Sequence, residues 1–369
     1  MDPLNLRDSL YGGRTNAICV LYHADEEKGE EIKYLDVSSL YPNVCKYCHF
    51  TAGNPQLLTE HIDVDNIRQY EGLIKCKVLP PTYLYHPVLP HHCQGKLMFL
   101  LCRTCAETCN QDHHCQHTQE ERALTEPWVS VELFKALDLG CQLLEVYEIY
   151  HFPKTEKYHK GDETQKGIFS DYVNAFLKLK QEASGYPSWC HTPEDQKKFK
   201  EKYWEQEGIT LDHIEKNEGR RSFIKVMLNC FWGKMAQRPC LPKTEYLSEP
   251  SRYFQMIHDK TKYMKHVDVE ADEFGNVIIA AYVTARARLK LYEALELLGD
   301  RVLYFDTNSC IYIDRLDEPY PVIEGNRLVA WTDKHPEDKI LSFASGGPKN
   351  YGYEYRDKQS VTELYKFIS

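Results

Sequence analysis

The stretch VLYFDTNSCIYI, residues 302–313, decides how the chain is read. Two short apolar runs, 302–305 and 310–313, flank the polar tip Asp306-Thr307-Asn308-Ser309. This pattern predicts two strands joined by a tight turn. A carboxylate at the end of a buried strand is unfavourable unless it is paired or binds a cation. A second such position stands upstream in IKYLDVSSLYP, residues 32–42, where Asp36 ends a β-branched run that turns at Pro42. Either Asp alone reads equally well as a turn or capping residue. Two of them on strands of one chain fit a divalent-cation clamp better. Mg²⁺ is held by a few carboxylates together with phosphate oxygens and water, and two-metal phosphoryl and nucleotidyl transfer uses that arrangement.

Between the two carboxylates lies a basic helix. Residues 219–238 place Arg221, Lys225 and Asn229 at i, i+4 and i+8, on one helical face. Two cations and an amide there can hold a triphosphate; a solvated basic face is the plainer reading of the same spacing. Residues 168–184 carry Ile168, Tyr172, Phe176 and Leu179 at helical spacing. Residues 277–299 form the clearest helix, stopped at Gly299. Residues 130–139 read as helix, 142–152 as a strand, 240–276 as short strands, and 186–218 as a polar, Trp-containing stretch. Residues 44–125 read as irregular, rich in Pro, Cys and His. Strands and helices mix without regular alternation, so the fold class is α+β.

The 369 residues carry a formal net charge of -10, with 42% hydrophobic and 27% charged residues. The balance is that of a globular protein. Overall acidity argues against a uniformly basic nucleic-acid binder, so local basic clusters have to do that work. No leader-like segment opens residues 1–11 and no apolar run is long enough to span a bilayer. An intracellular, reducing setting follows, in which clustered Cys residues more often bind metal than pair as disulfides. Among the 14 Cys, Cys102-x₂-Cys105 followed by Cys115-x-His117 has the ligand types and spacing for tetrahedral Zn²⁺. A bound metal would supply folding energy to a region that lacks a continuous hydrophobic pattern.

Three quoted segments together resemble family B DNA polymerases. DVSSLYP (36–42) is similar to motif A (DxxSLYP), KVMLNCFWG (225–233) to motif B (KxxxNSxYG), and YFDTNS (304–309) to motif C (YxDTDS). The resemblance implies that Asp36, the Val37 carbonyl and Asp306 hold Mg²⁺. It implies that the Ser39 and Leu40 amides face the triphosphate together with Arg221, Lys225 and Asn229, and that Tyr41 lies under the sugar and excludes a 2′-hydroxyl. Thr284-Ala285-Arg286-Ala287-Arg288 resembles the Tx₂(G/A)R motif, and Lys349-Asn350-Tyr351 the KxY motif. Tyr11-Gly12-Gly13 falls at the YxGG loop, with Leu10 where that motif has Tyr. By the resemblance, Gly12, Gly13, Thr284, Arg288, Lys349 and Tyr351 contact primer–template DNA.

The chain departs from the pattern at three places. Cys230 and Trp232 replace Ser and Tyr of motif B, and Asn308 replaces the second Asp of motif C, a metal ligand in the family. The site is therefore one charge short. The long interval between motifs A and B resembles the insertion of the protein-primed subclass used by Polinton-like elements and large DNA viruses, which implies a terminal protein as primer.

The expected organisation is a palm of antiparallel sheet with helices, helical fingers and a Cys/His-rich insertion. Its parts are palm with motif A (1–60), an insertion holding the Cys/His cluster (61–165), fingers (166–238), a second insertion (239–276), palm with motif C and KxY (277–353) and the start of a thumb (354–369). Neither an exonuclease domain nor a full thumb is recognised, so the chain reads as a fragment or a decayed copy, working in a nucleus or at a viral replication site. The function expected is templated addition of dNTP to a primer 3′-hydroxyl. The alternatives are a non-catalytic relic that binds DNA or nucleotide, and an interaction module built on the zinc-like cluster.

Overall fold

The computed structural model of the protein describes residues 3–110, 114–160, 162, 165–237, 249–251, 254, 258, 276–315, 331–357 and 363–368. In chain order the elements begin with β1 (Thr15–Ala17), β2 (Leu21–His23), β3 (Glu30–Val37), α1 (Leu40–Tyr47), β4 (Phe50–Ala52), β5 (Gln56–Leu58) and β6 (Gly72–Leu79). Then come β7 (Pro90–Cys93), β8 (Lys96–Phe99), α2 (Arg103–Glu107), α3 (Gln119–Arg122), β9 (Leu124–Val129), α4 (Ser130–Asp138), β10 (Gln142–His151) and β11 (Lys154–Glu156). Helices α5 (Ser170–Glu182), α6 (Pro193–Glu207), α7 (Glu218–Ala236) and α8 (Val277–Leu298) follow. The described chain closes with β12 (Val302–Asp306), β13 (Ser309–Arg315), β14 (Trp331–Asp333), β15 (Asp338–Gly347), β16 (Asn350–Asp357) and β17 (Glu363–Ile368).

The stretch at 302–313 forms the predicted hairpin. Strands β12 and β13 pair antiparallel, with Asp306 opposite Ser309. On its far side β13 pairs with β3, in a register that sets Ser309 opposite Asp36. Strand β1 closes the other flank, Thr15 opposite Asp306. The sheet among the described residues has nine strands, ordered β1-β12-β13-β3-β15-β16-β17, with β14 on β3 and β2 on β15. Its central strands are apolar on both faces: residues 302–305 and 309–313 are all buried. A sheet buried on both sides needs cover on both, and α8 supplies one layer.

Helix α8 is apolar nearly all round, as a helix in the interior must be. Ala280, Ala281, Tyr282, Val283 and Ala285 are each fully buried. All but Ala280 pack in one core with Leu35, Val37, Leu40 and Val44, in and around motif A, and with Phe305 and Cys310 of the hairpin. The basic residue of α8 in this interior is Arg288, 2% exposed. Its Nε and Nη2 donate to the two carboxylate oxygens of Glu132 on α4, at 2.6 and 2.7 Å. Its Nη1 donates to the carbonyls of Tyr11 and Gly12, both at 2.8 Å. A bidentate pair with the remaining donor satisfied is the geometry in which a buried ion pair is tolerable.

The structure corrects two sequence expectations and adds a helix to a third segment. Pro42 is not a turn but lies in the first turn of α1, where its missing N–H leaves no bond unmade. Residues 44–125 are not irregular: β5, β10, β6 and β9 form a four-stranded antiparallel sheet. The eight residues of β6 are mostly buried, so the alternation that marks a half-exposed strand is missing from the sequence. The polar stretch 186–218 contains α6, whose half-buried Phe199 and Tyr203 pack against the core and whose buried Glu207 pairs with Lys46. A Thr192–Asp195 capping box with Pro193 starts it, and Gly208 in the left-handed region stops it. The stretch 240–276 lies almost wholly outside the described residues, and its described positions 250, 251, 254 and 258 are helical.

If the Arg288–Glu132 pair holds α8, α4 and the 11–12 loop together, removing one partner strands a buried charge. Glu132→Ala is expected to destabilise the fold by roughly 3–5 kcal/mol, read as a lower denaturant midpoint at unchanged m-value.

Candidate active site

Asp36 and Asp306 end β3 and β12, two strands separated in the sheet by β13. Position 308 stands between them. The Asn308 side-chain Nδ2 donates to Asp36 Oδ1 at 2.6 Å and to the Val37 carbonyl at 3.2 Å. The outer oxygen of Asp36 pairs with Lys334 Nζ at 2.6 Å. Asp306 accepts from Thr15 Oγ1 at 2.7 Å and Thr307 Oγ1 at 2.9 Å. Lys349 Nζ donates to both its oxygens, at 2.9 and 2.8 Å. Burial pushes the Asp306 carboxyl up, but Lys349, Thr15 and Thr307 outweigh it and hold the group below the usual range. Each carboxylate is thus matched by one lysine.

The turn that carries this geometry is strained. Thr307 has φ +56° and Lys349 φ +59°, and neither is glycine. The Thr307 N–H donates to the Arg14 carbonyl at 2.7 Å. A Cβ on Gly13 would lie 2.6 Å from Thr307 Oγ1, so glycine is required where the 11–14 loop crosses the hairpin tip. Gly12 has only ordinary contacts. The Lys349 N–H donates to the Tyr304 hydroxyl at 2.8 Å, and Tyr351 packs its ring on Tyr304 at 4.5 Å.

Motif A continues into a cationic recess. Ser39 adopts φ +57° and makes no side-chain cap hydrogen bond, so among the described residues the Leu40 and Tyr41 amides at the start of α1 have no capping acceptor from it. Lys180 Nζ of α5 donates to Ser39 Oγ at 2.8 Å. Burial, with Arg221 and Lys225 close by, pulls the Lys180 ammonium down to about 8. Arg221, Lys225 and Asn229 are exposed along α7, and Arg221 Nε donates to Ser184 Oγ at 3.1 Å. Tyr41 stacks on Trp232 of α7, rings 4.6 Å apart and 21° from parallel. Burial lifts its hydroxyl pKa.

The structure brings together Asp36, Val37, Asp306, Asn308 and Lys349, and beside them Ser39, Leu40, Tyr41, Arg221 and Lys225. It does not bring Thr284, Arg288 or Tyr351 to the surface. Thr284 and Arg288 are each 2% exposed and Tyr351 6%, and their polar groups make interior contacts: Thr284 Oγ1 with the Ala281 carbonyl, Tyr351 with the Tyr34 hydroxyl and Arg288 with Glu132. Sequence reading missed Lys180 and Lys334. Neither has a spacing in the sequence that ties it to Asp36 or Ser39.

The Cys/His cluster assembles as its spacing suggests. Donor atoms of Cys102, Cys105, Cys115 and His117 all lie within 4.8 Å of one another. His117 Nδ1 is 3.4, 3.3 and 3.6 Å from the three sulfurs. Zn–N and Zn–S bond lengths in a tetrahedron give an N···S edge of about 3.5 Å, so the donor set fits zinc. Burial pushes the Cys102 thiol to about 12. It acts the same way on Cys115, where hydrogen bonds from His117, Cys105 and Cys102 outweigh it and leave the group at about 7.

Among known structures, the fold is similar to phi29 DNA polymerase in an orthorhombic crystal form, with TM-score 0.58 and 15% identity. It is equally similar to phi29 DNA polymerase complexed with primer–template DNA and incoming nucleotide substrates, with TM-score 0.58 and 16% identity. In both, 98% of this chain is covered and 54% of the other, so the chain spans about half the length of those structures. No curated protein sequence matches. The family described as DNA polymerase type B, organellar and viral, matches residues 3–189, which include Asp36 and the Cys/His cluster. Half of the chain carries that match, and the chain belongs to the organellar and viral type B DNA polymerases.

Proposed function

We propose that the chain is the palm-and-fingers core of a protein-primed type B DNA polymerase with a weakened metal centre. In the reaction a primer 3′-oxygen bonds to the α-phosphorus of a dNTP, and the bond to pyrophosphate breaks. The recess of Lys180, Arg221, Lys225 and the α1 amides suits the triphosphate. The Tyr41–Trp232 stack offers a flat apolar wall where a sugar and base can rest. Asp36, Asp306 and the Val37 carbonyl form a donor set that fits Mg²⁺, and Asn308 can add a neutral oxygen by turning its amide. A cation held there would stabilise charge on the reacting phosphate.

The observation that carries the reading is the Asn308 amide itself. It donates to two of the oxygens a cation would use. A carboxylate at 308 could only accept, and would favour the cation instead. Primer extension in Mg²⁺ should therefore rise by roughly 10²-fold or more in Asn308→Asp, in line with single catalytic groups. Equal rates for the two proteins would remove position 308 from the account. A second reading, DNA or nucleotide binding without turnover, rests on Asn308, which leaves the site one carboxylate short of motif C. It predicts primer–template binding that EDTA leaves unchanged, with no extension by either protein.

The recess makes a pH prediction. Lys180 is charged below its pKa of about 8 and neutral above it. Affinity for dNTP should fall as pH rises through that value, and Lys180→Met should bind more weakly and flatten the step. Fluorescence titration across the pH range reads both.

We also propose that Cys102, Cys105, Cys115 and His117 hold a structural Zn²⁺. Protein purified under reducing conditions should contain about one zinc per chain, and Cys105→Ala should lose it and melt at lower temperature. Sub-stoichiometric zinc in the folded wild type would refute the site.

A further inference from the structure

Three thiols and an imidazole meet in the segment 102–117, and one of the thiols faces water. Donor atoms of Cys102, Cys105, Cys115 and His117 lie within 4.8 Å of one another. Cys102 is buried, Cys105 half-buried and Cys115 exposed. Residues 114, 116 and 118 beside Cys115 are exposed too, and 114–118 lie outside any helix or strand. Cys102 is held differently. It stands at the start of α2, and its sulfur accepts the Cys105 N–H at 3.4 Å. Thr104 Oγ1 donates to the Glu121 carbonyl at 2.8 Å and Gln94 Nε2 to the Glu107 carbonyl at 3.0 Å, so α2 is fixed from both sides. A buried structural cysteine is inert, whereas an exposed thiolate beside a second thiol is open to oxidation. This cluster leaves one sulfur open and sets two more within its reach. Among the described residues Cys109 and Cys230 are exposed as well, but neither belongs to the group.

We propose that Cys115 is an oxidation site, where a peroxide converts the cluster from a metal-binding to a disulfide-bonded form. The Cys115 thiolate sulfur attacks one peroxide oxygen, the O–O bond breaks, and a sulfenic acid and hydroxide form. The thiolate of Cys102 or Cys105 then attacks the sulfenic sulfur, the S–S bond forms, and the second oxygen leaves as hydroxide. Two protons from solvent turn both hydroxides into water. The two sulfurs lose two electrons, and the peroxide takes them. Cys115 lies in coil, so it can close on its partner without breaking a helix or strand. Two of the four donors are consumed, and the remaining cysteine and His117 are too few for tetrahedral Zn²⁺. The loss of metal follows only where Zn²⁺ is held, so this part rests on the zinc site proposed above.

The test uses the full chain, purified under reducing conditions and then freed of reductant. Hydrogen peroxide is added in equimolar amount. Released zinc is read with a chromogenic chelator, and disulfides are mapped by alkylation and peptide mass spectrometry. Zinc should leave in step with one disulfide that joins Cys115 to Cys102 or Cys105. Dithiothreitol with added zinc should restore the starting state. Cys115→His keeps a complete donor set of two Cys and two His. It should hold zinc and lose the peroxide-driven release, whereas Cys109→Ser should behave as wild type. Zinc retained through the treatment, equal release from Cys115→His, or a first disulfide that leaves out Cys115 overturns the proposal. If Cys115→His does not bind zinc, the wild-type map and Cys109→Ser still decide. Wild type purified without zinc refutes the zinc site itself. The disulfide map then stands alone: a bond from Cys115 to Cys102 or Cys105 upholds the oxidation site, and its absence overturns it.

Discussion

Two carboxylates held at the ends of buried strands must be neutralised, and much of the structure around β3 and β12 is arranged to do so. The register fixes the problem: Asp36 and Asp306 flank β13, and Asn308 stands at its start. Water is partly excluded, with side-chain exposures of 18% and 21%. Hydrogen-bond donors therefore gather from distant parts of the chain. Thr15 comes from β1, Lys334 from the end of β14, and Lys349 from the turn between β15 and β16. Each of these positions depends on the sheet being assembled, so the site is a product of the fold and not of any one segment.

The same dependence runs backwards from the hairpin tip. Thr307 can occupy the left-handed region because the 11–14 loop braces it. That loop is held by Arg288, whose fork is fixed by Glu132 on α4. Arg288 thus connects the four-stranded sheet region, α8 and the carboxylate pair. In the sequence it looks like a DNA contact, because an arginine on a helix near a polymerase motif is ordinarily read by its charge. The structure gives its charge an interior use. Any effect of Arg288 on DNA binding would pass through the position of Gly12 and Gly13.

What was legible in the sequence follows from how local each signal is. The hairpin, α5, α7, α8 and β10 were visible because their periodicity lies in contiguous residues. The carboxylate pair was visible because each Asp ends its own apolar run. The zinc-like cluster was visible because its four donors fall within sixteen positions of one segment, 102–117. The eight-residue strand β6 was not, since burial on both faces erases alternation. Helix α6 was not, although Thr192, Pro193 and Asp195 spell out a capped start. Lys180 and Lys334 were invisible for a deeper reason. The two lysines each acquire their meaning from a partner more than a hundred residues away in the chain.

Replacing a carboxylate by an amide at 308 changes more than one unit of charge. An aspartate there could only accept, and would be forced to share a cation with Asp36. Asparagine can turn either face toward its neighbours, and Asp36 Oδ1 and the Val37 carbonyl are both acceptors. The amide therefore turns its N–H groups inward and satisfies both. Asn308, Lys334 and Lys349 together thus satisfy acceptor oxygens of Asp36, Val37 and Asp306, the three groups at the ends of the two strands.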